Sequence, residues 1–204
     1  MSKDKNSLRI AVDIGGTFTD MACFDEASGK IKFGKALSTH GHLHEGIQNT
    51  LDGAGIDLTN GYLFLHGSTI AINTLLERNG AKTALLITEG FRDIYEIGRV
   101  NRPDAYNLFF SKHQPLVPRS LRYEVTERLR ADGSLHKKLD EEAVRELAKE
   151  LKQQHVEAVA VLLLHSYRNP DHERRVKAIL QEELPNAFVT ASHELSQAYR
   201  EFER

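Results

Sequence analysis

The sequence is 204 residues long, with 27 Lys and Arg against 29 Asp and Glu, so its formal charge of -2 gives no long-range pull toward nucleic acid or an anionic membrane. Hydrophobic residues make up 40% of it, enough for a real core, yet no run approaches the ~18 apolar residues of a membrane span. The single cysteine, Cys23, excludes an internal disulfide, and the N-terminal MSKDKNSLR leads into no apolar signal segment, so a cytoplasmic protein is expected.

In chain order, the apolar runs at 8–12 and 21–24 and the alternating segment at 30–36 predict three strands joined by tight turns, an antiparallel meander. Leu43, Ile47 and Leu51 then recur every four residues, which predicts a helix ending near Gly53 or Gly55. YLFLHG reads as a strand, TIAINTLLERNG as a helix closed by Asn79 and Gly80, and KTALLITEG as another strand, together a strand-helix-strand unit. The stretch 91–118 is charged, aromatic and without a clean period, so it is expected to be irregular with a short helix early; long irregular segments in compact domains are often functional.

Segments 123–129 and 135–139 predict a hairpin around Asp132 and Gly133. Asp140 is placed to cap EEAVRELAKELKQQ, whose Val144, Leu147, Ala148 and Leu151 form one stripe. VEAVAVLLLHSY reads as a buried strand that includes the longest apolar run, VAVLLL. Asn169 and Pro170 read as cap and first turn of a helix with Val176, Ile179, Leu180 and Leu184 inside, and 187–191 as a final strand. Alternation of this kind predicts an α/β fold, its sheets covered by helices. A weak boundary near Pro115 to Pro118 divides the expectation into residues 8–118 and 119–204.

The most informative stretch is AVDIGGTFTDMACFD, residues 11–25. A two-residue reversal needs only a pair such as Asn-Gly, whereas here Gly15, Gly16, Thr17 and Thr19 sit between two acids, Asp13 and Asp20. Consecutive glycines let successive amide N–H groups converge on one anion, and let a phosphate approach without meeting a side chain. The hydroxyls of Thr17 and Thr19 add donors. Asp13 would repel a phosphate directly, and a Mg2+ ion or its water shell between them removes that conflict. The bland alternative is a hairpin whose glycines relieve strain. No G-x-x-x-x-G-K-[ST] occurs, and these glycines lead into a strand rather than a helix, so neither a P-loop nor a dinucleotide-binding Rossmann turn fits.

The motif D-I-G-G-T-F-T-D, residues 13–20, resembles the phosphate-binding hairpin of the actin and hexokinase superfamily, whose nucleotide lies between two ribonuclease H-like lobes. The segment HGSTIAINTLLERNGAKTALLITEGFRDIYEIGRVNRPD, residues 66–104, resembles the N-terminal region of the hydantoinase A and 5-oxoprolinase family, which includes subunits of acetone and acetophenone carboxylases. SHELSQAYREFER, at the chain's end, is similar to the family's segment before its second, larger part. The resemblance implies a ribonuclease H-like lobe with a mixed sheet at 8–118, followed by an additional α/β portion at 119–204. It also implies ATP-dependent phosphorylation of a carbonyl or enol, for amide-ring hydrolysis or ketone carboxylation, with a hydantoinase B-like partner subunit. No second D-x-G-G-T hairpin is present, so the resemblance calls for a C-terminal lobe or a complementing chain before ATP turns over.

On this reading Asp13 holds the hydrated Mg2+, Gly15, Gly16 and Thr17 cradle phosphate, and Thr19 and Asp20 support the turn. His66, Ser68 and Thr69 are catalytic candidates where a strand gives way to a helix, with Asn73 one turn on; a plain helix cap is the alternative. Arg92, Arg99 and Arg102 are candidates for contact with substrate or partner, against internal salt bridging with neighbours such as Asp93 and Glu96. His40, His42 and His44 have a spacing that invites a metal, but a solvated loop is the better expectation. His165 ends a strand, where clefts form or where a polar terminus suffices, and Cys23 is expected in the core. A sugar or acyl kinase of the same superfamily, and a non-catalytic interaction domain with the same fold, are the alternative functions.

Overall fold

The computed structural model describes residues 7–39, 41–99, 104, 106–112 and 114–204. Contacts divide the chain into two units, one through Gly80 and one from Ala81. That division lies upstream of the composition boundary near Pro115 to Pro118.

The first unit opens with β1 (Leu8–Ile14), β2 (Phe18–Asp25) and β3 (Lys30–Leu37), followed by α1 (Leu43–Gly53), β4 (Gly61–Ser68) and α2 (Ile70–Glu77). The strands form one sheet in the order β3-β2-β1-β4. The first three are the expected antiparallel meander, and β4 runs parallel to β1, which makes the mixed sheet expected of a ribonuclease H-like lobe. Each turn has a chemical cause. Between β2 and β3 the Asp25 carboxylate accepts from the hydroxyls of Ser28 (2.6 Å) and Ser7 (2.7 Å), bonds that hold its pKa below the ordinary value, that of Ser28 most. Gly29 supplies the left-handed backbone, at φ +65°.

Because side chains alternate along a strand, Ile10, Val12 and Ile14 face one side with Met21 and Cys23, where Leu51 and Ile56 close the core. Ala11, Asp13, Asp20 and Lys35 remain exposed. Cys23 is thus a core residue, only 1% exposed, and burial raises its thiol pKa. Gly34 is where helix α1 meets the sheet most closely: a Cβ there would lie 2.8 Å from both Met21 Cε and the Thr50 carbonyl oxygen. Gly34→Val is therefore expected to cost about 1–3 kcal/mol through overpacking. Urea unfolding of the chain would measure it, and an unchanged midpoint would show that α1 shifts without cost.

The second unit contains β5 (Thr83–Thr88), the short α3 (Ile94–Ile97), β6 (Arg122–Val125), β7 (Arg128–Leu129), β8 (Leu135–Lys137), α4 (Glu141–Gln153), β9 (Ala158–Leu162), α5 (Asp171–Glu183), β10 (Phe188–Ala191) and α6 (Ser192–Leu195). Four strands form a sheet, β10-β9-β5-β6, in which every neighbouring pair is parallel. Such a sheet is covered on both faces, and β5 is accordingly buried along nearly its whole length. Val144, Ala148 and Leu151 of α4 and Val176, Ile179 and Leu180 of α5 share a core with Leu86, Val159 and Val161. Leu85 and Ile87 belong to a second cluster, with Phe91, Ile94 and Tyr95 packed against it.

Two expectations are corrected here. β4 and β5, separated by α2, do not make one strand-helix-strand unit, since β4 pairs with β1 whereas β5 pairs with β6 and β9. The segment 123–129 is not a single hairpin strand: β6 joins the parallel sheet, and only β7 pairs with β8. The helix ends follow their sequence signals more closely. Asp140 accepts from the Ala143 amide (3.0 Å), while Asn169 accepts from the Asp171 amide (3.0 Å) one residue before the position that Pro170 occupies.

Candidate functional site

The glycine turn between β1 and β2 is braced from β3. Ser38 Oγ donates to the Gly15 carbonyl (2.8 Å) and lies 3.0 Å from Thr19 Oγ1, while the Ser38 amide donates to the Thr17 carbonyl (2.9 Å). Thr19 is fully buried in this arrangement, so its hydroxyl holds the turn and does not face a ligand. The Gly15 amide donates to the Phe18 carbonyl (2.9 Å), and a Cβ on Gly15 would lie 2.9 Å from that same oxygen. A Cβ on Gly16 would come within 3.0 Å of the Asn73 amide nitrogen. The backbone thus leaves no room for a side chain at Gly15, whereas at Gly16 the flexible Asn73 amide of the first turn of α2 would have to give way, and neither glycine has a positive φ. Among the described residues, no acceptor meets the amides of Gly16 and Thr17.

Below the turn, Asp13 and Asp20 stand directly opposite each other in the antiparallel register. Like charges in that position repel. Lys35 relieves one of them, its Nζ lying 2.9 Å from Asp20 Oδ1, but nothing among the described residues hydrogen-bonds to the Asp13 carboxylate. On the other side of Asp13 the parallel register places Gly67, where an added Cβ would be 3.6 Å from Asp13 Oδ1. An open hollow of about 760 Å³ is lined by Asp13, Asp20, Lys35, His66 and Gly67. A carboxylate without a partner, an opposing carboxylate and unfilled amides form a donor set suited to a hydrated divalent cation with its phosphate.

The candidates at the end of β4 divide. His66 lines the hollow. Ser68 Oγ accepts from the Ile70 amide (3.3 Å), and Thr69 Oγ1 accepts from the Asn73 side-chain amide (3.3 Å), so both hydroxyls help to start α2. The Thr69 amide donates to the Ile14 carbonyl (3.2 Å), which ties that start to the end of β1.

The arginine candidates belong to the second unit. Asp93 takes a two-point contact from Arg119 (2.8 and 3.1 Å), chiefly the hydrogen bond from that guanidinium, which holds its pKa low. Glu96 accepts from buried Arg122 (2.8 Å), and Arg99 pairs with Glu203. Internal pairing therefore occupies these groups. Arg92 donates through one terminal nitrogen to the Arg119 carbonyl (3.1 Å), and its buried Nε has no partner among the described residues. Arg102 and His40 lie outside the described residues. His42 and His44 stack edge to face, and no cluster of metal-ligating side chains occurs among the described residues. No helix among them is long and apolar enough to cross a membrane.

Residues 9–184 match the model of the hydantoinase/oxoprolinase N-terminal region. An uncharacterised protein of Methanocaldococcus jannaschii is 39% identical over 96% of this chain and 29% of its own length. Caprolactamase subunit alpha of Pseudomonas jessenii is 34% identical over 98% of this chain and 30% of its own. Among solved structures, a nucleotide-free structure of acetone carboxylase, titled for ATP-dependent acetone carboxylation, aligns with a TM-score of 0.80 and 30% identity over 96% of this chain and 30% of that one. The chain thus spans about 30% of the length of these two relatives.

Proposed function

The chain belongs to the hydantoinase/oxoprolinase N-terminal family, and on that premise we propose that it supplies the phosphate-holding part of an ATP-dependent subunit. That subunit phosphorylates an unreactive carbonyl or enol oxygen, to open a cyclic amide or to carboxylate a ketone. The observation that carries the reading is the pair Asp13 and Asp20 facing each other beneath amides that lack acceptors. One relative is named a caprolactamase subunit, and another's structure is titled for ATP-dependent carboxylation; both fit phosphoryl transfer from ATP.

In such a transfer the protein's work is positioning and charge stabilisation. The amides of Gly16 and Thr17 orient phosphate oxygens, and Gly15 keeps the turn tight enough for them to converge. Asp13 would hold a hydrated Mg2+, while Asp20 is paired with Lys35. When bound, Mg2+ neutralises phosphate charge. His66, open to the hollow, takes up the proton that an enol or imidic-acid oxygen loses as it accepts the phosphoryl group. A C-terminal lobe supplies the adenosine pocket, and a hydantoinase B-like subunit completes the reaction.

The test is ATP hydrolysis by the full-length protein assembled with that partner, with lactams, hydantoins, 5-oxoproline and ketones as candidate substrates. One class is expected to stimulate turnover. Gly15→Ala, which forces the turn off the Phe18 carbonyl, is expected to lower that turnover about tenfold or more through misplacement of the amides. An assembled complex that neither binds nor hydrolyses ATP would leave only a non-catalytic interaction role.

A further inference from the structure

In the second unit the chain passes from β5 to β6 on one side of the sheet, then crosses back to place β9 on the other side of β5. Strand order reverses between β5 and β9, and at such a reversal the loops leaving the carboxyl ends diverge and open a crevice. A cavity of about 620 Å³ lies at these ends. It is lined by Glu89, which follows β5, by Glu127, Arg128 and Arg130, which follow β6, by Lys137 and by His165, which follows β9.

The charges lining it are unequally satisfied. Glu89 is taken by Lys137 (2.6 Å), whose hydrogen bond holds its pKa low. Glu127 is fully buried, with one carboxylate oxygen accepting from Thr88 Oγ1 and the other lying 2.6 Å from His172 Nδ1. Thr88 Oγ1 in turn accepts from the Leu164 amide (2.9 Å), so the ends of β5 and β9 and the start of β7 are joined by one buried network. Both acids are thereby used up. The two arginines are not. Arg128 lies over the Phe91 ring, 4.5 Å from its centroid, and Arg130 meets His136 Nδ1 at 3.2 Å, yet neither forms an ion pair with a carboxylate among the described residues. Asp132, two residues beyond Arg130, accepts from the Ser134 amide (2.9 Å); the Ser134 hydrogen bonds chiefly, and the Arg130 charge least, hold its pKa low, without an ion pair. His165 Nδ1 is shut off from solvent and has no hydrogen-bond partner among the described residues.

We infer that this crevice binds a small oxyanion, a carboxylate, bicarbonate or phosphate, gripped by Arg128 and Arg130 with the His165 imidazole beside it. Two guanidinium groups that form no ion pair with a carboxylate among the described residues match the oxygen pairs of such an anion. The aromatic seat holds the plane of Arg128 before anything binds. This site lies wholly within the second unit and does not rest on the reading of the glycine turn.

The test is an amide NMR titration of the full chain, in a chloride buffer free of other oxyanions, with sodium phosphate, sodium bicarbonate and sodium acetate in separate arms. At least one is expected to give saturable shifts confined to 127–137 and 163–166, and the arm that saturates at the lowest concentration identifies the anion. Arg130→Gln is expected to weaken that binding about tenfold or more, whereas Arg174→Gln, a change on the exposed face of α5, leaves it unchanged. Should Arg130→Gln disturb the fold, Arg128→Lys replaces it, with loss of the two-pronged grip expected to weaken binding in the same direction. Absence of saturation in every arm overturns the inference, as does equal affinity in the arginine variants.

Discussion

Asp13→Asn is expected to lower substrate-stimulated ATP hydrolysis by the assembled full-length protein about a hundredfold, and to raise the Mg2+ concentration needed for half-maximal rate. The substitution keeps the shape of the side chain and removes its charge. Asp13 is exposed, touches no described hydrogen-bond partner and faces Asp20 across the strand pair, so neutralising it relieves a repulsion and leaves the core intact. Folding and assembly should therefore be unaffected, and thermal unfolding of the same preparation would show it. A fall in turnover with an unchanged unfolding midpoint is then a statement about the site. If Asp13→Asn keeps both the wild-type rate and the wild-type Mg2+ dependence, Asp13 is not the cation's carboxylate and the phosphate-site reading loses its anchor.

The largest effect on stability is expected at Glu173 in α5. This carboxylate is fully buried. It accepts from the Leu163 amide (2.8 Å) and Ser192 Oγ (2.6 Å) through one oxygen, and from the His193 amide (3.0 Å) through the other, which also lies 2.7 Å from His193 Nδ1. Three stretches of chain, following β9, within α5 and opening α6, thus converge on one side chain. Removing it in Glu173→Ala strands several buried polar groups at once, and a loss of about 3–5 kcal/mol is expected, comparable to breaking a buried ion pair from one side. Glu173→Gln retains one acceptor oxygen and turns an amide donor toward groups that already donate, so an intermediate loss is expected. Urea unfolding of the chain measures both. A loss below about 1 kcal/mol for Glu173→Ala would mean that water replaces the carboxylate at little cost.

The local sequence carried much of this architecture. The meander could be read because polar and apolar residues alternate where one face meets α1, and α4 because its cap and its stripe agree. The glycine turn stood out because two glycines and two acids exceed what a reversal needs. What eluded local reading depended on residues distant in the chain. Nothing near TALLIT says that its neighbour is β9, beginning at Ala158, and not the strand before it. Glu173 reads as an acid suited to the first turn of a helix, and its burial follows only from where residues 163 and 192–193 come to lie. That Thr19 supports the turn could be expected, but that it does so from inside, against Ser38, follows from the pleat, which a string of threonines and glycines does not reveal. The oxyanion crevice was equally hidden, since Arg128 and Arg130 stand out only once the neighbouring acids are seen to be taken.

The order of strand pairing also governs how the chain emerges during synthesis. All four strands of the first sheet have been made once Ser68 is complete; the β1–β2 and β2–β3 pairings close over short separations, and β1 meets β4 with Leu8 opposite Gly61. In the second sheet β5 meets β6 across a separation shorter than that of β1 and β4, but its other neighbour, β9, begins only at Ala158, and contacts so far apart in sequence form late. The apolar TALLIT segment, buried in the finished sheet, is therefore made well before β9, the strand that covers one of its edges. Ribosome-bound chains arrested at successive lengths should show protease protection of residues 8–68 before that of 83–88. The reverse order would mean that the second unit organises itself before its own sheet can close.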